Sequence, residues 1–356
     1  MPILERTADL WRRYRRSRFL PATVVTLLCG VAVALFVGSY TYATANPHPE
    51  NIPIAVVGGV PDQQSQTFES ELETAMGSSL DVHHVADRGA GIEQLNQQQV
   101  FAVVEVSNAD RHMALDLSSA SGQAVAALLE QVLPQTAQRA GYSVTVADLH
   151  PLQHTDPHGL TVFYMTIASV VVGFVGAIQL GVQARDLKSW ERIAFTVAYA
   201  TLGSLLATVT VDSIVQTLDL PFVEAWFTMA FTMFTCGMVF TMFSSLVGRW
   251  AILPTWGVMI LLGNPYSGGS VAWPLLPRLL ATIGRYLPPG ASVNALHTAV
   301  YFHGHQHLEP YVVLAVWSLL GMSVYLIRQH LFGERGTRAD QDTADQDTGT
   351  STTETA

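Results

Sequence analysis

The chain has 356 residues, of which 13% are charged, and its mean hydropathy is +0.29. This balance favours a polytopic membrane protein with room for one helical bundle and one soluble domain. The net charge is −10, and residues 339–356 contribute five carboxylates and no basic residue to it. No basic patch occurs after the N-terminus, which excludes a nucleic-acid-binding role.

Six apolar segments dominate the pattern: 19–45, 160–184, 193–218, 225–247, 250–263 and 310–329. Most supply the ~20 apolar residues that a helix needs to cross a hydrocarbon core of ~30 Å. The first ends in Ala43-Thr44-Ala45, which resembles a signal-peptide cleavage site. Its apolar run is longer than the ~7–15 residues of such a peptide, so we interpret it as a membrane helix. The sequence predicts six transmembrane helices, one before and five after a soluble insert.

The basic residues give an orientation. Of the 18 Lys and Arg, 13 precede the first helix, follow the last one, or lie in the two short loops around residues 185–192 and 249. Basic residues in short loops stay cytoplasmic. We therefore expect a multi-pass protein of a bacterial plasma membrane, with both termini cytoplasmic and residues 46–157 extracellular.

Residues 46–157 have the pattern of a small α/β domain. Met113, Leu115 and Leu117 alternate with polar residues, as a half-buried strand does, and 122–140 is an amphipathic helix. The complete order is βαβαββαβ, which favours helices packed on one sheet. Asp156-Pro157 has the composition of a helix start and closes the domain.

These boundaries divide the chain into five parts. They are the basic cytoplasmic N-terminus 1–18, the first transmembrane helix 19–45, the extracellular α/β domain 46–157, the five-helix membrane domain 158–330 with a re-entrant hairpin at 264–309, and a disordered acidic cytoplasmic tail 331–356.

Two short patterns suggest contacts of the membrane domain. Gly173, Ala177 and Gly181 recur every four residues and predict a helix seam, either a plain packing seam or one that opens during transport. The second pattern is a charged stretch on the cytoplasmic side, either a solvated loop or a helix that docks on a motor subunit. Its candidate coupling residues are Arg185, Asp186, Lys188, Trp190 and Arg192.

The hairpin is the most informative stretch. A short apolar run ends at residue 263, and prolines and glycines then interrupt the chain, which a lipid-exposed backbone does not tolerate. We expect two short helices, 274–287 and 291–302, that dip into the outer leaflet. The candidate gate residues are Asn264, Pro265, Ser267, Gly268, Gly269, Arg278, Arg285, Pro288 and Gly290. Gly268 and Gly269 are expected at positive φ, and the two arginines on the wet face.

Other side chains give little indication of chemistry. His303, His305 and His307 alternate and could chelate a metal on an extended segment, but no carboxylate accompanies them, so we interpret the segment as a solvated external loop. Cys29 and Cys236 both lie in apolar segments, which leaves no thiolate zinc site and no disulfide framework in the soluble domain. We expect no cofactor.

The one-plus-five topology with a hairpin before the last helix resembles the ABC-2-type permease superfamily. Asn264–Leu296 is similar to the C-terminal signature of its phage-infection-protein-like branch, with Asn-Pro-x-Ser-Gly-Gly, a proline-rich turn and a Leu-Pro-x-Gly element. The resemblance implies a permease fold that assembles as a homodimer, with a substrate path between protomers. The soluble domain is much shorter than in the large receptors of that branch.

Three function classes follow from these patterns. The first is a permease subunit that exports an amphiphilic or lipid-like compound through contact with membrane lipid. No GxxxxGK[ST] motif occurs, so a separate ATP-binding subunit would supply ATP energy. The second is a non-transporting scaffold or receptor whose outer domain binds a partner. The third, a membrane enzyme, lacks any catalytic constellation of residues.

Overall fold

The computed structural model describes residues 19–44, 51–58, 79–107 and 109–350, with the backbone alone for 332–350. The predicted N-terminal segment 1–18, most of a helix predicted near 68–80, and residues 351–356 of the tail lie outside the described residues. The chain divides into two compact units, Met1–Asn46 and Pro47–Ala356.

The first unit contains helix α1, Phe19–Thr44. Its 26 residues include no charged side chain, and the helix is apolar and long enough to cross a membrane. The hydroxyls of Thr23, Thr26 and Thr44 donate to the carbonyls of the residues four positions earlier, which satisfies these polar groups inside the helix.

The α/β region of the second unit is built on a sheet in which the described strands have the order β2-β1-β3-β4-β5. The β1–β2, β1–β3 and β4–β5 pairs are parallel, and β3–β4 is antiparallel. The strands are β1 Ile52–Val57, β2 Leu80–Val85, β3 Ala102–Ser107, β4 His112–Leu117 and β5 Ser143–Asp148. The helices are α2 Arg88–Asn96 and α3 Gln123–Arg139.

A hydrophobic layer lies on each face of this sheet. Met113, Leu115 and Leu117 form one face of β4 and pack with α3, which confirms the alternation seen in the sequence. Leu95 of α2 packs on the opposite face against Val103. The central strands are therefore buried on both sides, as expected for parallel pairing.

One ion pair fixes α2 to the sheet. The guanidinium of Arg88 donates from Nε and Nη2 to the two carboxylate oxygens of Asp116, each at 2.7 Å, and Asp116 is buried. This bidentate contact raises the pKa of Arg88 above its ordinary value. It compensates for the burial of a carboxylate near the end of β4.

The helical bundle of the second unit contains four long apolar helices. With α1, these are the five described helices that are long and apolar enough to cross a membrane. The four are α4 Thr161–Gln183, α5 Ser189–Val209 with its π-helix Thr210–Val215, α6 Phe222–Val247 and α10 Glu309–Thr350.

The sixth predicted span is shorter than the others. Helix α7, Ile252–Trp256, continues as the π-helix Gly257–Gly263, so the apolar element has 12 residues. At 1.5 Å per residue it is about 18 Å long, against ~30 Å for a hydrocarbon core. Two helices follow, α8 Arg278–Arg285 and α9 Pro288–Tyr301, each offset by a few residues from its predicted range.

Two predicted ends differ from the structure. The side chain of Asp156 accepts the amide hydrogens of Leu160 and Thr161, but Pro157 precedes the helix instead of starting it, because α4 begins at Thr161. The backbone of α10 continues to Thr350, where the sequence predicts a disordered tail from 331. No proline follows Pro310 to stop a helix that the apolar span has already nucleated.

Candidate functional site

The hairpin, residues 264–309, lies between the bundle and the α/β region. Ser292, near the start of α9, accepts a hydrogen bond at 2.8 Å from Thr232, which is ten residues into α6 and about 15 Å along it. Thr298, near the end of α9, accepts one at 2.7 Å from the side-chain amide of Gln98, in the α/β region. Helix α9 therefore runs from the interior of the bundle to the α/β region.

The first turn of the hairpin is closed by its own polar groups. The hydroxyl of Ser267 donates to the carbonyl of Asn264 at 2.8 Å and accepts from the amide of Gly269. Gly268 has φ +84°, as the sequence predicts, but Gly269 is not among the residues with positive φ. A Cβ on Gly269 would lie 2.6 Å from the ring of Phe163, so packing on α4 requires glycine there.

The second turn of the hairpin, between α8 and α9, has the closest backbone contacts. A Cβ on Gly284 would lie 1.9 Å from the carbonyl oxygen of Tyr266, and one on Gly290 would lie 2.1 Å from that of Gly284. Pro288 is the first residue of α9, where its missing amide hydrogen costs no helical bond. Three stretches of backbone meet here without side chains between them.

The hairpin also contributes to the hydrophobic core of the α/β region. Ala272 and Leu275 belong to the buried cluster formed by β1, β3, β4 and α3. The ring of Trp273 lies 5.8 Å from that of Phe101, and a Cβ on Gly122 at the start of α3 would touch Ala272. A movement of this part of the hairpin therefore changes the packing of the sheet.

The loop after α9 makes a second attachment to the α/β region. A ring nitrogen of His307 lies 3.1 Å from the carbonyl oxygen of Gln97, and His305 lies 3.9 Å from Glu93. The ring of His150 packs on Phe302 at 4.5 Å, and its burial lowers the pKa of His150 below the ordinary value.

The predicted metal alternative has no geometric support. His305 and His307 face different partners, and a ring nitrogen of His305 lies 3.3 Å from the carbonyl of His303. Within the part of the chain that the structure describes, no three His, Cys, Asp or Glu side chains are placed to hold a metal ion. His305 and His307 instead contact the α/β region, at Glu93 and at the carbonyl of Gln97.

Hydroxyl groups line the contact between α6 and its neighbours. Thr232, Ser292 and Thr166 form a buried hydroxyl cluster, with 3.4 Å between the oxygens of Thr166 and Ser292. Elsewhere on the same face of α6, Thr228 contacts Tyr311 at 3.0 Å and Thr235 contacts Ser318 at 2.7 Å. The sequence places the three threonines of α6 on one face but does not identify Ser292 or Ser318, which lie on other helices.

The small-residue ridge of α4 is tightly packed at one end only. A Cβ on Gly173 would lie 2.6 Å from the carbonyl of Met233, in α6, and Ala177 is buried. At Gly181 the nearest atom would be Nη1 of Arg192, at 3.6 Å. The ridge therefore packs against α6 at Gly173 and is open at Gly181.

Tyr199 of α5 completes this junction, and sequence reasoning did not identify it. Its hydroxyl donates to the carbonyl of Gly173 at 2.6 Å, and a Cβ on Gly176 or Gly237 would overlap the tyrosine side chain. Gly176 thus lies at an interface of its own, off the predicted ridge. A tyrosine surrounded by glycines on neighbouring helices has no signature in a single sequence.

The candidate coupling segment is a short turn between two long helices. Helix α4 ends at Gln183 and α5 begins at Ser189, so no separate helix forms between them. Arg185 and Asp186 are exposed in the turn, and the amide of Lys188 donates to Glu191 at 2.8 Å. Trp190 and Arg192 belong to the first turn of α5. A docking surface here would consist of this turn and the two helix ends.

No family model, curated protein or solved structure matches this chain.

Proposed function

We propose that this protein is a permease subunit that exports an amphiphilic or lipid-like compound across a bacterial plasma membrane. It works as a homodimer with the path between protomers, and a separate ATP-binding subunit supplies energy. Helix α7 and the hairpin together take the place of the sixth crossing. Both termini are cytoplasmic, and the α/β region is extracellular.

The observation that carries this proposal is the position of the hairpin. It joins the sheet of the α/β region, through Ala272 and Leu275, to the buried hydroxyl cluster at Ser292. An amphiphile that passes through a bundle needs polar groups for its head and apolar helix surfaces for its tail. Withdrawal of α9 would expose the hydroxyl cluster, and the attached sheet would follow the movement.

A reversible cross-link tests whether α9 moves. The oxygens of Thr232 and Ser292 are 2.8 Å apart, so cysteines at these positions are placed to form a disulfide between α6 and α9. With Cys29 and Cys236 replaced by serine, oxidation of Thr232→Cys/Ser292→Cys is expected to abolish activity in vesicles, and reduction to restore it. Activity means translocation of a fluorescent short-chain phospholipid, and ATP hydrolysis with a candidate ATPase.

The matched control joins two bundle helices without the hairpin. Thr235 and Ser318 are equally close, at 2.7 Å, and connect α6 to α10. Oxidation of Thr235→Cys/Ser318→Cys is expected to leave activity above half of its reduced value. Equal activity of the two oxidised proteins would rule out the hairpin as a moving gate. No translocation and no stimulated ATP hydrolysis in the cysteine-free protein would contradict transport itself.

The orientation has its own test. Thr145 is exposed on the edge strand β5, and Asp186 is exposed in the turn between α4 and α5. In a Cys29→Ser background, Thr145→Cys should react with an impermeant thiol reagent on intact cells, whereas Asp186→Cys should react only after the membrane is opened. The reverse pattern would place the α/β region in the cytoplasm.

A binding role without transport is the second candidate, and the position of β5 at the edge of the described sheet favours it. Among the described strands β5 pairs with β4 alone, and Val146 on it is exposed. An exposed edge can accept a strand from a partner. Pull-down of a partner that is lost on Val146→Pro, together with absence of translocation, would support this role.

A further inference from the structure

Helix α8 has an exposed surface with an apolar half and a cationic half. Leu279 and Ile283 lie one turn apart and are 73% and 39% exposed. Arg278 and Arg285 lie two turns apart on the adjoining side, about 10 Å along the axis. The opposite side is fixed to the protein at Gly284, against Tyr266. The amphipathic surface is therefore held outward by the fold.

Exposed aromatic residues lie on either side of α8 in the chain. Trp273, just before α8, is 48% exposed, and Tyr286, just after it, is 52% exposed. The indole of Trp317 in α10 donates to the carbonyl of Tyr286 at 2.9 Å, which fixes the end of α8 beside the last helix. Tryptophan and tyrosine with one apolar and one polar end concentrate at the boundary between hydrocarbon and water.

The charges of the surface are not balanced. Arg285 donates to Glu309, the first residue of α10, at 2.7 Å. Among the described residues, the guanidinium of Arg278 has no hydrogen-bond or ion-pair partner. The carboxylate of Glu309 thus pairs with Arg285 alone, and the positive charge of Arg278 remains unbalanced beside an apolar surface. A molecule that complements both halves has an anionic head and an apolar tail.

We propose that α8 binds an anionic phospholipid of the membrane. Its phosphate lies between Arg278 and Arg285, and its acyl chain lies along Leu279 and Ile283. Arginine binds phosphate well because its planar guanidinium group can donate two parallel hydrogen bonds to the phosphate oxygens. The lipid competes with Glu309 for Arg285, so removal of this carboxylate should strengthen binding. The proposal is independent of transport, since a scaffold or receptor could hold the same lipid.

Photolabelling of the full-length protein in detergent tests this binding. The probe is phosphatidylglycerol with a diazirine in its acyl chain, and the readout is label on peptides that cover residues 273–286. We expect labelling that unlabelled phosphatidylglycerol displaces and phosphatidylcholine of the same chain length does not. Arg278→Gln should lower this labelling by about fivefold, the factor for one arginine near an anionic surface.

Three further variants separate the site from general charge effects. Glu309→Gln should raise labelling, and Arg278→Lys should keep most of it. Arg249→Gln removes an arginine that lies beside Trp250 at the opposite end of the bundle, so labelling of 273–286 should not change. Equal displacement by phosphatidylcholine, no effect of Arg278→Gln, or an equal loss with Arg249→Gln would overturn the proposal. Labelling of 273–286 that is lost when the protein dimerises would show that a second copy covers this surface and would also overturn the proposal.

Discussion

Replacement of Gly284 by alanine is expected to destabilise the hairpin more than any other single methyl group added there. The new Cβ would lie 1.9 Å from the carbonyl oxygen of Tyr266, which is backbone and cannot rotate away. The carbonyl of Gly284 is itself in contact with Gly290. The backbone at Gly284 therefore cannot move away from Tyr266 without pressing on the backbone at Gly290. We expect a loss of about 3 kcal/mol, the upper end of the cost of overpacking an interior.

The measurement is the apparent unfolding temperature in detergent, with the monodisperse yield as a second readout. Gly257→Ala is the matched control, since it adds the same methyl group to the helix that leads into the hairpin and meets nothing within 4 Å. Gly284→Ala should unfold several degrees below Gly257→Ala. Similar unfolding temperatures for the two variants would show that the second turn of the hairpin can accommodate a methyl group, contrary to the close contacts in the structure.

Hydropathy predicts most of the architecture because the physical requirement is simple. A helix that crosses a membrane needs a long apolar run, and five described helices have one where the sequence places it. The alternation in 113–117 likewise identifies a half-buried strand, because successive side chains face opposite sides of a sheet. Both predictions depend on neighbours along the chain, which a single sequence contains.

Contacts between distant segments are what the sequence alone does not supply. The sequence predicts the hairpin as a membrane element, yet Ala272 and Leu275 complete the core of a sheet that is more than a hundred residues away in the chain. Nothing in the local sequence of two apolar residues identifies the distant segment against which they pack. The same holds for Ser292, whose role depends on Thr166 and Thr232 in two other helices.

The glycines illustrate the same limit. Composition marks 268–269 as a turn, and Gly268 has the positive φ that a turn requires. Gly284 and Gly290, the most constrained positions of the hairpin, lie at a helix end and in a first helical turn, where no sequence pattern indicates contact with a second backbone segment. Their constraint comes from other backbone segments, so only the three-dimensional structure identifies it.

The second large effect is expected at the seam between α4 and α6. Leucine at Gly173 would place its Cβ 2.6 Å from the carbonyl oxygen of Met233 and 2.9 Å from Cβ of Cys236. It would also displace Tyr199, whose hydroxyl donates to the carbonyl of Gly173. In lipid the hydrophobic effect does not drive helices together, so their association depends on close packing of the backbones. We therefore expect Gly173→Leu to lower the stability of the protein by about 3 kcal/mol.

Gly181→Leu is the control on the same ridge, two turns further along α4. Its nearest neighbour would be the flexible end of Arg192, so the cost should stay within about 0.5 kcal/mol. Unfolding temperature and oligomer size in detergent should separate the two variants. If Gly173→Leu leaves the unfolding temperature unchanged but alters the oligomer size, Gly173 lies at a contact between protomers. Equal stability and equal size for both variants would mean that α4 and α6 are not closely packed at Gly173.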